Sequence, residues 1–492
     1  MEWTKEARYR ELEDVTKEEL TALEKIVNEC PWRQTYHIQP ITGLLNDPNG
    51  FSYYNGEYHL FYQWFPLGPV HGLKHWYHTK SKDLVHWENI GVAIKPSNQF
   101  DSHGVYSGSA IEHEGNLFLI YTGNTRNEKW ERFPYQCLAV MDQNGKVTKM
   151  DKPIVNEVPK GYTDHFRDPK VWKQDGHYYA IIGAQKESGT GCVVLYRSSD
   201  LKEWIFAGEI DTGLKDFGYM WECPDYFELG GQGILLFSPQ GLESKGDHFQ
   251  NIYQSGYVIG SPIDLQKKQL IHGEFQELDR GFDFYAPQTM NDPQGRRILV
   301  GWMGLPEIDY PTDRNGWAHC LTLPRELLVR EGKLYQKPVK ELENLRGEKS
   351  EAEITVKNEF VSINGFSGEA YELFAEFSEI TAQEFGIEVR VGEHEKTIIK
   401  YDSNEKKVIF DRSHSGQSVG KDFGDIRKCR LDAKTVTFQV FVDISSVEVF
   451  VNNGEEVLTG RIFPQQNSRG IQFFAVGGQT NLKAMKWNIL KD

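Results

Sequence analysis

The chain has 492 residues and a formal net charge of −16. This charge argues against nucleic acids and anionic membranes as general partners, because both require a basic face. Aromatic residues make up 13% of the chain and glycines number 46, a composition that suits many short strands joined by turns. The six cysteines show no paired short spacing, which predicts neither a zinc site nor a disulfide framework.

Residues 1–30 are predicted to form a helical extension. Thr16 can cap a helix together with Glu19 three residues later. One apolar stripe follows: Leu20, Leu23, Ile26 and Val27. We interpret the extension as a lid or brace packed on the domain surface. The alternative is a helix with no catalytic role, because such stripes usually serve only to bury apolar surface. No apolar segment typical of a secretory signal or a membrane span is present, which predicts a cytoplasmic protein.

Residues 31–345 contain five copies of a unit in which a strand, a glycine turn and an apolar strand follow one another. The turn glycines lie 59, 61, 55 and 64 residues apart: Gly56, Gly115, Gly176, Gly231 and Gly295. The pattern Ser-x-Asp-Leu-x-x-Trp also recurs, at 81–87 and 198–204. Units of about 60 residues are typical of propeller blades, which bury their faces by stacking around a ring. The sequence therefore predicts a five-bladed β-propeller.

After a charged segment at 340–349, which predicts a linker or a short helix, apolar and polar residues alternate with a period of two. Asn453-Gly454 lies between two such strands and is a strong hairpin signal. We interpret residues 350–492 as a β-sandwich. The predicted fold is therefore all-β, with a helical extension (1–30), a propeller (31–345) and a sandwich (350–492).

Three acidic residues recur near the same place in units one, three and four. Asp47 and Glu222 lie 9 residues before their turn glycines, and Asp168 lies 8 residues before its own. Because equivalent positions in a closed ring face one axis, we expect the three carboxylates to converge at one depth. The other two units carry neutral hydrogen-bonding groups there: Tyr106, Ser107 and Tyr285.

Two carboxylates that flank a glycosidic bond can hydrolyse it, one as nucleophile or base and the other as proton donor. The donor must stay protonated near neutral pH, and an apolar environment raises the pKa of a carboxyl group towards that range. Glu222 lies between Trp221 and Cys223, which predicts the more apolar environment. We therefore expect Glu222 to be the proton donor.

Asp47 has the amides of Asn46 and Asn49 nearby and is predicted to be the nucleophile. Arg167 is expected to keep its neighbour Asp168 ionised, which suits this carboxylate to binding sugar hydroxyls. Asp-Pro and Asp-Gly pairs are also ordinary turn residues. Their recurrence with the repeat is what favours a site.

Three motifs resemble signatures of glycoside hydrolase family 32, the invertase and fructanase family: Leu44-Leu-Asn-Asp-Pro-Asn-Gly-Phe51, Arg167-Asp-Pro169 and Glu222-Cys-Pro224. Further stretches match at 106–110, 284–288, 301–303, 321–326, 443–450 and 461–464, so the resemblance spans nearly the whole chain. It implies a five-bladed propeller with a sandwich, and hydrolysis of β-D-fructofuranosides with retention. A small sugar is the expected partner, no metal or organic cofactor is expected, and the expected state is a monomer or homodimer.

The resemblance also implies roles by position. Asp47 matches the nucleophile, Glu222 the acid/base, and Asp168 the residue that stabilises the transition state and binds fructose hydroxyls. The expected substrate-binding residues are Leu44, Leu45, Asn46, Gln63, His71, Lys74, Trp76, Tyr106, Ser107, Arg167, Tyr285 and Trp317.

The segment His71-Gly-Leu-Lys74 departs from secreted relatives that act on sucrose, which often carry Trp near position 71. Together with the helical extension, it resembles the bacterial members of the family that act on sucrose 6-phosphate. Lys74 and His71 could hold a phosphate on the glucose moiety through charge-assisted hydrogen bonds. Further candidates for this contact are His103, Arg126, Arg132 and Lys186.

The leading prediction is hydrolysis of sucrose 6-phosphate to glucose 6-phosphate and fructose, with activity on sucrose as well. An intracellular sucrose or short-fructan hydrolase without phosphate preference is one alternative. A non-catalytic carbohydrate-binding propeller is another, although a pure binder gains little from crowding carboxylates around a neutral sugar. The sandwich shows no cluster that suggests a site, and we expect it to be structural or a dimer surface.

Overall fold

The computed structural model describes residues 3–490, and five small antiparallel sheets follow one another along its first part. Blade one contains β1 (Gly43–Tyr54), β2 (Glu57–Phe65), β3 (His75–Ser81) and β4 (Trp87–Ile94). Blade two contains β5 (Val105–His113), β6 (Asn116–Arg126), β7 (Arg132–Met141) and β8 (Val147–Lys149). Blade three contains β9 (Tyr162–Gln174), β10 (His177–Lys186), β11 (Gly191–Ser198) and β12 (Trp204–Glu209).

Blade four contains β13 (Met220–Leu229), β14 (Gln232–Gln240), β15 (Gly256–Gly260) and β16 (Gln276–Glu277). Blade five contains β17 (Tyr285–Asn291), β18 (Arg297–Met303), β20 (Cys320–Leu321), β21 (Arg325–Arg330) and β22 (Lys333–Pro338). The short strand β19 (Trp317–Ala318) belongs to the sheet of blade one. The innermost strands contact one another in the closed order β1, β5, β9, β13, β17 and back to β1. The predicted five-bladed propeller is confirmed.

The ring is closed by the short segment that carries β19 and β20. Strand β19 pairs in parallel with β1 of blade one, while β20 pairs with β18 of blade five. The predicted turns join the first two strands of each blade. In blade one, Asn55 and Gly56 have φ angles of 51° and 84°. Positive φ at both residues is characteristic of a type I′ turn, whose twist matches that of the strands it joins.

The C-terminal strands form one hydrogen-bonded sheet that folds over into two layers. These strands are β23 (Arg346–Val361), β24 (Tyr371–Ser378), β25 (Glu384–Val391), β26 (Lys396–Asp402), β27 (Lys407–His414), β28 (Ile426–Arg430), β29 (Val436–Asp443), β30 (Ser446–Val451), β31 (Glu456–Arg461) and β32 (Gly470–Ile489). Residues 470–476 of β32 pair with β25, and residues 481–488 pair with β24. Gly477 and Gly478, both at positive φ, lie at the corner between these two halves. The predicted sandwich is confirmed.

A buried ionic network joins the sandwich to the propeller. Arg325 of β21 has no exposed surface and donates to Asp279 (3.0 Å) and to Glu448 of β30 (2.6 Å). His37 bonds Asp443 (2.8 Å) and Glu448 (3.1 Å). Burial lowers the pKa of His37, but the bonds to Asp443 and Glu448 outweigh burial and raise its pKa to about 9. The ring is therefore a cation at neutral pH, and losing one partner would leave a buried charge unpaired.

The N-terminal extension contains α1 (Lys5–Arg8) and α2 (Lys17–Asn28). The other helices within residues 3–490 are 3₁₀ segments at Leu12–Asp14, Pro311–Asn315, Lys340–Leu345 and Lys421–Phe423. The Thr16–Glu19 capping box opens α2 as predicted. Val27 is buried against Trp317, whereas Ile26 is 49% exposed, so its inclusion in the apolar stripe is wrong.

No helix within residues 3–490 is long and apolar enough to cross a membrane. The predicted boundaries at 30, 345 and 350 stay predictions, and the outermost residues of the predicted extension and sandwich, at 1–2 and 491–492, lie outside the described part.

Candidate active site

Each innermost strand of the propeller carries a β-bulge at the same place. The two bulged residues are Asn46-Asp47, Tyr106-Ser107, Asp168-Pro169, Cys223-Pro224 and Ala286-Pro287 in blades one to five. The first of these residues has a φ of 69°, 48° and 47° in blades three, four and five, a region that residues other than glycine rarely adopt. Bulges redirect side chains and are frequent next to active sites. The repeat thus places five distorted segments around one end of the axis.

The three carboxylates occupy successive positions of this bulge. Asp47 is the second bulged residue of its blade, Asp168 is the first of its own, and Glu222 immediately precedes the pair. The expectation that all three enter at one depth is therefore wrong. Counting back from the turn misaligned blade one. Strand β1 has a second irregularity between Asn49 and Ser52, and its hairpin is one residue pair longer than those of blades three and four.

Asp47 presents an open carboxylate that two neutral donors hold from behind. It is the one side chain in 42–52 that is not buried. Asn46 donates to one carboxylate oxygen (3.1 Å), and the Ser107 hydroxyl donates to the other. Gln63 accepts from Asn46 (2.6 Å) and donates to Ser107 (2.8 Å), which fixes the direction of both donors. Burial raises the pKa of Asp47 above its ordinary value, against the bond from Ser107.

The Cys223 side chain lies between the carboxylates of Asp168 and Asp47. One oxygen of Asp168 accepts the N–H of Cys223 at 2.9 Å, and the Cys223 sulfur lies 3.6 Å from that oxygen. The same sulfur lies 3.6 Å from an oxygen of Asp47. The two carboxylates therefore converge on one atom. The N–H of Asp168 donates to the Thr122 hydroxyl (3.0 Å), which ties the bulge to blade two.

The Cys223 thiol acts as a donor in this arrangement. Burial, and then the charges of Asp168 and Asp47, raise the pKa of Cys223 well above its ordinary value. A thiol that stays protonated is a poor nucleophile. Cys223 therefore orients the two carboxylates instead of reacting.

Glu222 is held by four hydrogen-bond donors. One oxygen accepts from Nε (3.0 Å) and Nη2 (2.7 Å) of Arg167. The other oxygen accepts from the Gln240 amide (2.8 Å) and the Tyr285 hydroxyl (2.6 Å). Burial and the charge of Glu222 raise the pKa of Tyr285 well above its ordinary value, so this hydroxyl keeps its proton. The plane of the Glu222 carboxyl group is thereby fixed.

The structure departs from two expectations about these surroundings. Trp221 does not make the environment of Glu222 apolar, because neighbours on a strand point to opposite faces and Trp221 stacks on Phe237 at 4.2 Å. The guanidinium of Arg167 bonds Glu222, not its sequence neighbour Asp168. Burial raises the pKa of Asp168 above its ordinary value in spite of the Arg167 charge. The charge of Arg167 lowers this pKa, in the expected direction, but burial outweighs it.

A buried glutamine closes the axis beneath the carboxylates. The Gln288 side chain accepts the N–H of Phe51 (2.8 Å) and donates to the carbonyl of Gly108 (2.8 Å). It thereby links blades five, one and two across the axis. The Gln288 side chain thus blocks the axis beneath the carboxylates, and we call this blocked end the closed floor of the propeller.

Four predicted binding residues lie behind the site. The exposed fraction is 3% for Leu44 and 0% for Leu45, Trp76 and Trp317. Trp76 donates from its indole to the carbonyl of Tyr106 (2.9 Å) and so positions the blade-two bulge. Each of these four side chains is enclosed in the core, so none of them is placed to contact a sugar directly. They support the site.

Lys74 also lies behind the site and not at its mouth. Its side chain is 3% exposed and donates to Asn46 at 2.6 Å. Burial lowers the pKa of Lys74 to about 7, against the charge of Asp47. This placement does not favour Lys74 as a phosphate contact, and that expectation stays a prediction. His71 is exposed, and its ring meets Trp302 edge-on at 6.1 Å.

The further cationic candidates separate into two groups. Lys186 pairs with Glu209 at 2.7 Å on blade three. The other three, His103, Arg126 and Arg132, lie together on blade two. The Trp130 ring contacts the His103 ring (centroids 5.3 Å apart) and the Arg126 guanidinium (5.0 Å to the ring). Arg126 is opposite Arg132 in the sheet.

Three residues near the carboxylates were not predicted as site residues: Trp302, His319 and Gln240. Trp302 meets Tyr285 at 6.0 Å and His319 at 5.1 Å and forms an aromatic wall. A signal for Trp302 existed, since it lies in the matched stretch 301–303. Gln240, which bonds Glu222, has no motif of its own.

The arrangement suits acid–base and nucleophilic chemistry on a polar bond. The carboxyl groups of Asp47 and Glu222 face a site that also contains Asp168 and whose other groups are neutral or cationic donors, as a glycosidase requires. Within residues 3–490, no group of three or more His, Cys, Asp and Glu side chains is arranged to hold a metal ion.

Comparison with known proteins agrees with this geometry along the whole chain. Residues 37–338 match the family described as "Glycosyl hydrolases family 32 N-terminal domain", and residues 341–488 match "Glycosyl hydrolases family 32 C terminal". The sucrose-6-phosphate hydrolase of Staphylococcus xylosus is 50% identical over 492 residues, covering 100% of this chain and 99% of that protein. That of Bacillus subtilis (strain 168) is 43% identical over 493 residues, covering 98% and 100%.

Solved structures show the same fold. The sucrose-6-phosphate hydrolase from Lactobacillus gasseri superposes with a TM-score of 0.93 at 39% identity and covers 100% of both chains. A mutant Bombyx mori GH32 beta-fructofuranosidase in complex with sucrose gives 0.83 at 33% identity, covering 97% of this chain and 99% of that one. Matched domains, relatives and fold together place the chain in glycosyl hydrolase family 32.

Proposed function

We propose that this glycoside hydrolase cleaves the β-D-fructofuranosidic bond of sucrose 6-phosphate to give glucose 6-phosphate and fructose, and that it also cleaves sucrose. The observation that carries the proposal is the convergence of Asp47, Asp168 and Glu222 on the closed floor of the propeller. The full-length similarity to proteins named sucrose-6-phosphate hydrolase supports the choice of substrate.

In the first step, the Asp47 carboxylate attacks the anomeric carbon of the fructosyl unit. Glu222 transfers its proton to the bridging oxygen, the bond to that oxygen breaks, and glucose 6-phosphate leaves. The fructosyl unit is then held as an ester of Asp47. The donors Asn46 and Ser107 orient the attacking oxygens and leave one face of the carboxylate free.

In the second step, water enters where the glucose moiety was. Glu222, now a carboxylate, takes a proton from this water, which attacks the same carbon and releases fructose and free Asp47. Each step inverts the anomeric carbon, so the overall reaction retains its configuration.

Tyr285 is suited to follow Glu222 through both protonation states. A phenol hydroxyl can donate to a carboxylate and accept from a carboxylic acid, whereas the amide N–H of Gln240 can only donate. The 2.6 Å contact between Tyr285 and Glu222 can therefore persist when the proton is present. Asp168, oriented by the N–H of Cys223, is placed to bind fructose hydroxyls.

We also propose a cytoplasmic location without nucleic-acid or membrane partners. The six cysteines are all free, as in proteins of reducing compartments. The net charge of −16 disfavours polyanions as partners.

Kinetics on four substrates test the proposal: sucrose 6-phosphate, sucrose, raffinose and inulin. We expect kcat/KM to be highest for sucrose 6-phosphate, by about 10- to 100-fold over sucrose, because hydrogen bonds to a charged group are worth roughly 1.5–3 kcal/mol. Equal values for the two would identify a sucrose or short-fructan hydrolase without phosphate preference. No hydrolysis of any of the four would contradict the enzyme.

A further inference from the structure

We propose that Arg126 and Arg132, which end β6 and begin β7 in blade two, bind the phosphate of the substrate. This inference rests on the proposed function and names the residues that select the phosphorylated sugar. The two arginines take the place of Lys74 as the proposed phosphate contact, because the Lys74 ammonium group is enclosed behind Asn46.

The two arginines face each other directly in the sheet. Arg126 and Arg132 are cross-strand partners, the last pair before the hairpin loop. Side chains of such pairs emerge on the same face with Cβ atoms about 5 Å apart, and like charges placed this way are destabilising. An anion held between the two guanidinium groups removes this repulsion.

Each guanidinium keeps one donor that has no partner in the part of the chain that the structure describes. The Nε atoms of both Arg126 and Arg132 are buried without a hydrogen-bond partner. No ion pair of either residue with a carboxylate occurs in the part of the chain that the structure describes. One terminal nitrogen of Arg126 donates to the carbonyl of Trp130 at 2.8 Å, and the Arg126 side chain also hydrogen-bonds the Tyr9 hydroxyl. Buried polar groups are nearly always paired, so unused donors on two adjacent arginines point to a missing anionic ligand.

The pair lies on the leaving-group side of the site. The hydroxyl of Thr122, on β6, accepts from the backbone of Asp168. Arg126 is four residues farther along the same strand, on the same face and about 13 Å away. The charge of Arg167, which bonds Glu222, acts on Arg132. The arginines thus lie beyond the proton donor, where the outer end of a departing sugar phosphate must be.

The N-terminal extension forms one wall of this cluster. The Lys5 ammonium stands 3.2 Å above the Trp130 ring, and the Tyr9 ring meets Trp130 edge-on at 5.1 Å. Tyr9 also lies 5.6 Å from the His103 ring. A wall that restricts water lowers the local dielectric and strengthens ionic contacts with a bound anion. The extension therefore contributes to substrate selection as well as to packing.

Phosphate is the anion that fits this cluster best. Two guanidinium groups offer planar forks of donors that match the oxygens of a phosphate monoester, and Lys5 adds a point charge nearby. Because the chain as a whole carries a charge of −16, this cationic cluster is a local feature and not part of a general basic surface.

The test compares Arg126→Gln and Arg132→Gln with the wild-type enzyme on sucrose 6-phosphate and sucrose. We expect the ratio of kcat/KM for the phosphorylated over the free sugar to fall about 10- to 100-fold in each variant. Arg132→Lys, which keeps the charge but loses the fork, is expected to fall between Arg132→Gln and wild type. Added salt should raise KM for sucrose 6-phosphate more than for sucrose in the wild type.

Lys186→Gln is the matched control. This lysine is also cationic but pairs with Glu209 on blade three, so the substrate ratio should not change. An unchanged ratio in both arginine variants would overturn the inference, and so would an equal loss on both sugars. If the wild type itself shows no preference for the phosphorylated sugar, the proposed substrate is wrong, and the inference about the arginines is then wrong as well.

Should a glutamine variant fold poorly, inhibition of sucrose hydrolysis in the wild type gives a second readout. Glucose 6-phosphate should inhibit at least tenfold more strongly than glucose, and Arg126→Lys should narrow this difference. Equal inhibition by the two sugars would contradict a phosphate site.

Discussion

Replacing Asp47 with Asn is expected to lower kcat for sucrose 6-phosphate by about 10⁴-fold or more, a loss typical of a missing catalytic nucleophile. Asparagine has nearly the same shape, and its oxygen can still accept from Asn46. Its NH₂ group can donate to the Ser107 hydroxyl, which can rotate to accept, so the bulge should fold normally. Its amide cannot form the fructosyl ester. Steady-state kinetics with circular dichroism as the folding check measure this effect.

Asp175→Asn is the matched control for that substitution. Asp175 lies exposed in the turn of blade three at a φ of 49°, a conformation that Asn tolerates, so the same chemical change there should leave kcat unaltered. Turnover of Asp47→Asn within tenfold of the wild type would rule out Asp47 as the nucleophile.

Replacing Glu222 with Gln is expected to lower kcat by about 10²- to 10⁴-fold, the range of general acid–base catalysis. The loss should shrink with an aryl fructoside, because such a leaving group departs without needing a proton. The new amide also places an N–H against the Gln240 donor, while Tyr285 can rotate its hydroxyl to accept. Rates on both substrates measure the dependence on the leaving group.

Glu228→Gln controls for the change of charge on the same strand. Glu228 is exposed near the far end of β13, and its substitution should affect neither substrate. Equal losses of Glu222→Gln on activated and unactivated substrates would show that this residue does not supply the proton.

The propeller and the sandwich could be predicted because their signals are local. Turn glycines such as Gly56 and Gly176 adopt the positive φ that their hairpins require. The two Ser-x-Asp-Leu-x-x-Trp copies form the same turn, in which Trp87 and Trp204 each donate to the backbone three residues earlier. Spacing of such signals by about 60 residues left few architectures other than a ring of blades.

The gathering of the carboxylates could be predicted, but their surroundings could not. A repeat indicates which strand enters the axis, whereas bulges and irregularities decide which atom faces which. The bond from Arg167 to Glu222 joins residues 55 apart in sequence, and nothing local distinguishes it from a bond to Asp168. Gln240 reaches Glu222 from the neighbouring strand without any motif.

Lys74 shows that sequence alone does not reveal in which direction a cationic side chain points. The backbone N–H of Leu73 donates to the carbonyl of Arg8 in the N-terminal extension at 2.7 Å. This contact covers the segment from outside, and Lys74 turns inward to Asn46. Only the packing of a distant part of the chain determines which side of the segment a ligand can reach.

The stereochemistry of fructosyl transfer to methanol tests the central claim most directly. If Asp47 and Glu222 act by double displacement, sucrose 6-phosphate in aqueous methanol should yield methyl β-D-fructofuranoside, which NMR identifies without interference from mutarotation of the product. Formation of the α-anomer would contradict the account, because it would mean a single displacement with no fructosyl ester on Asp47.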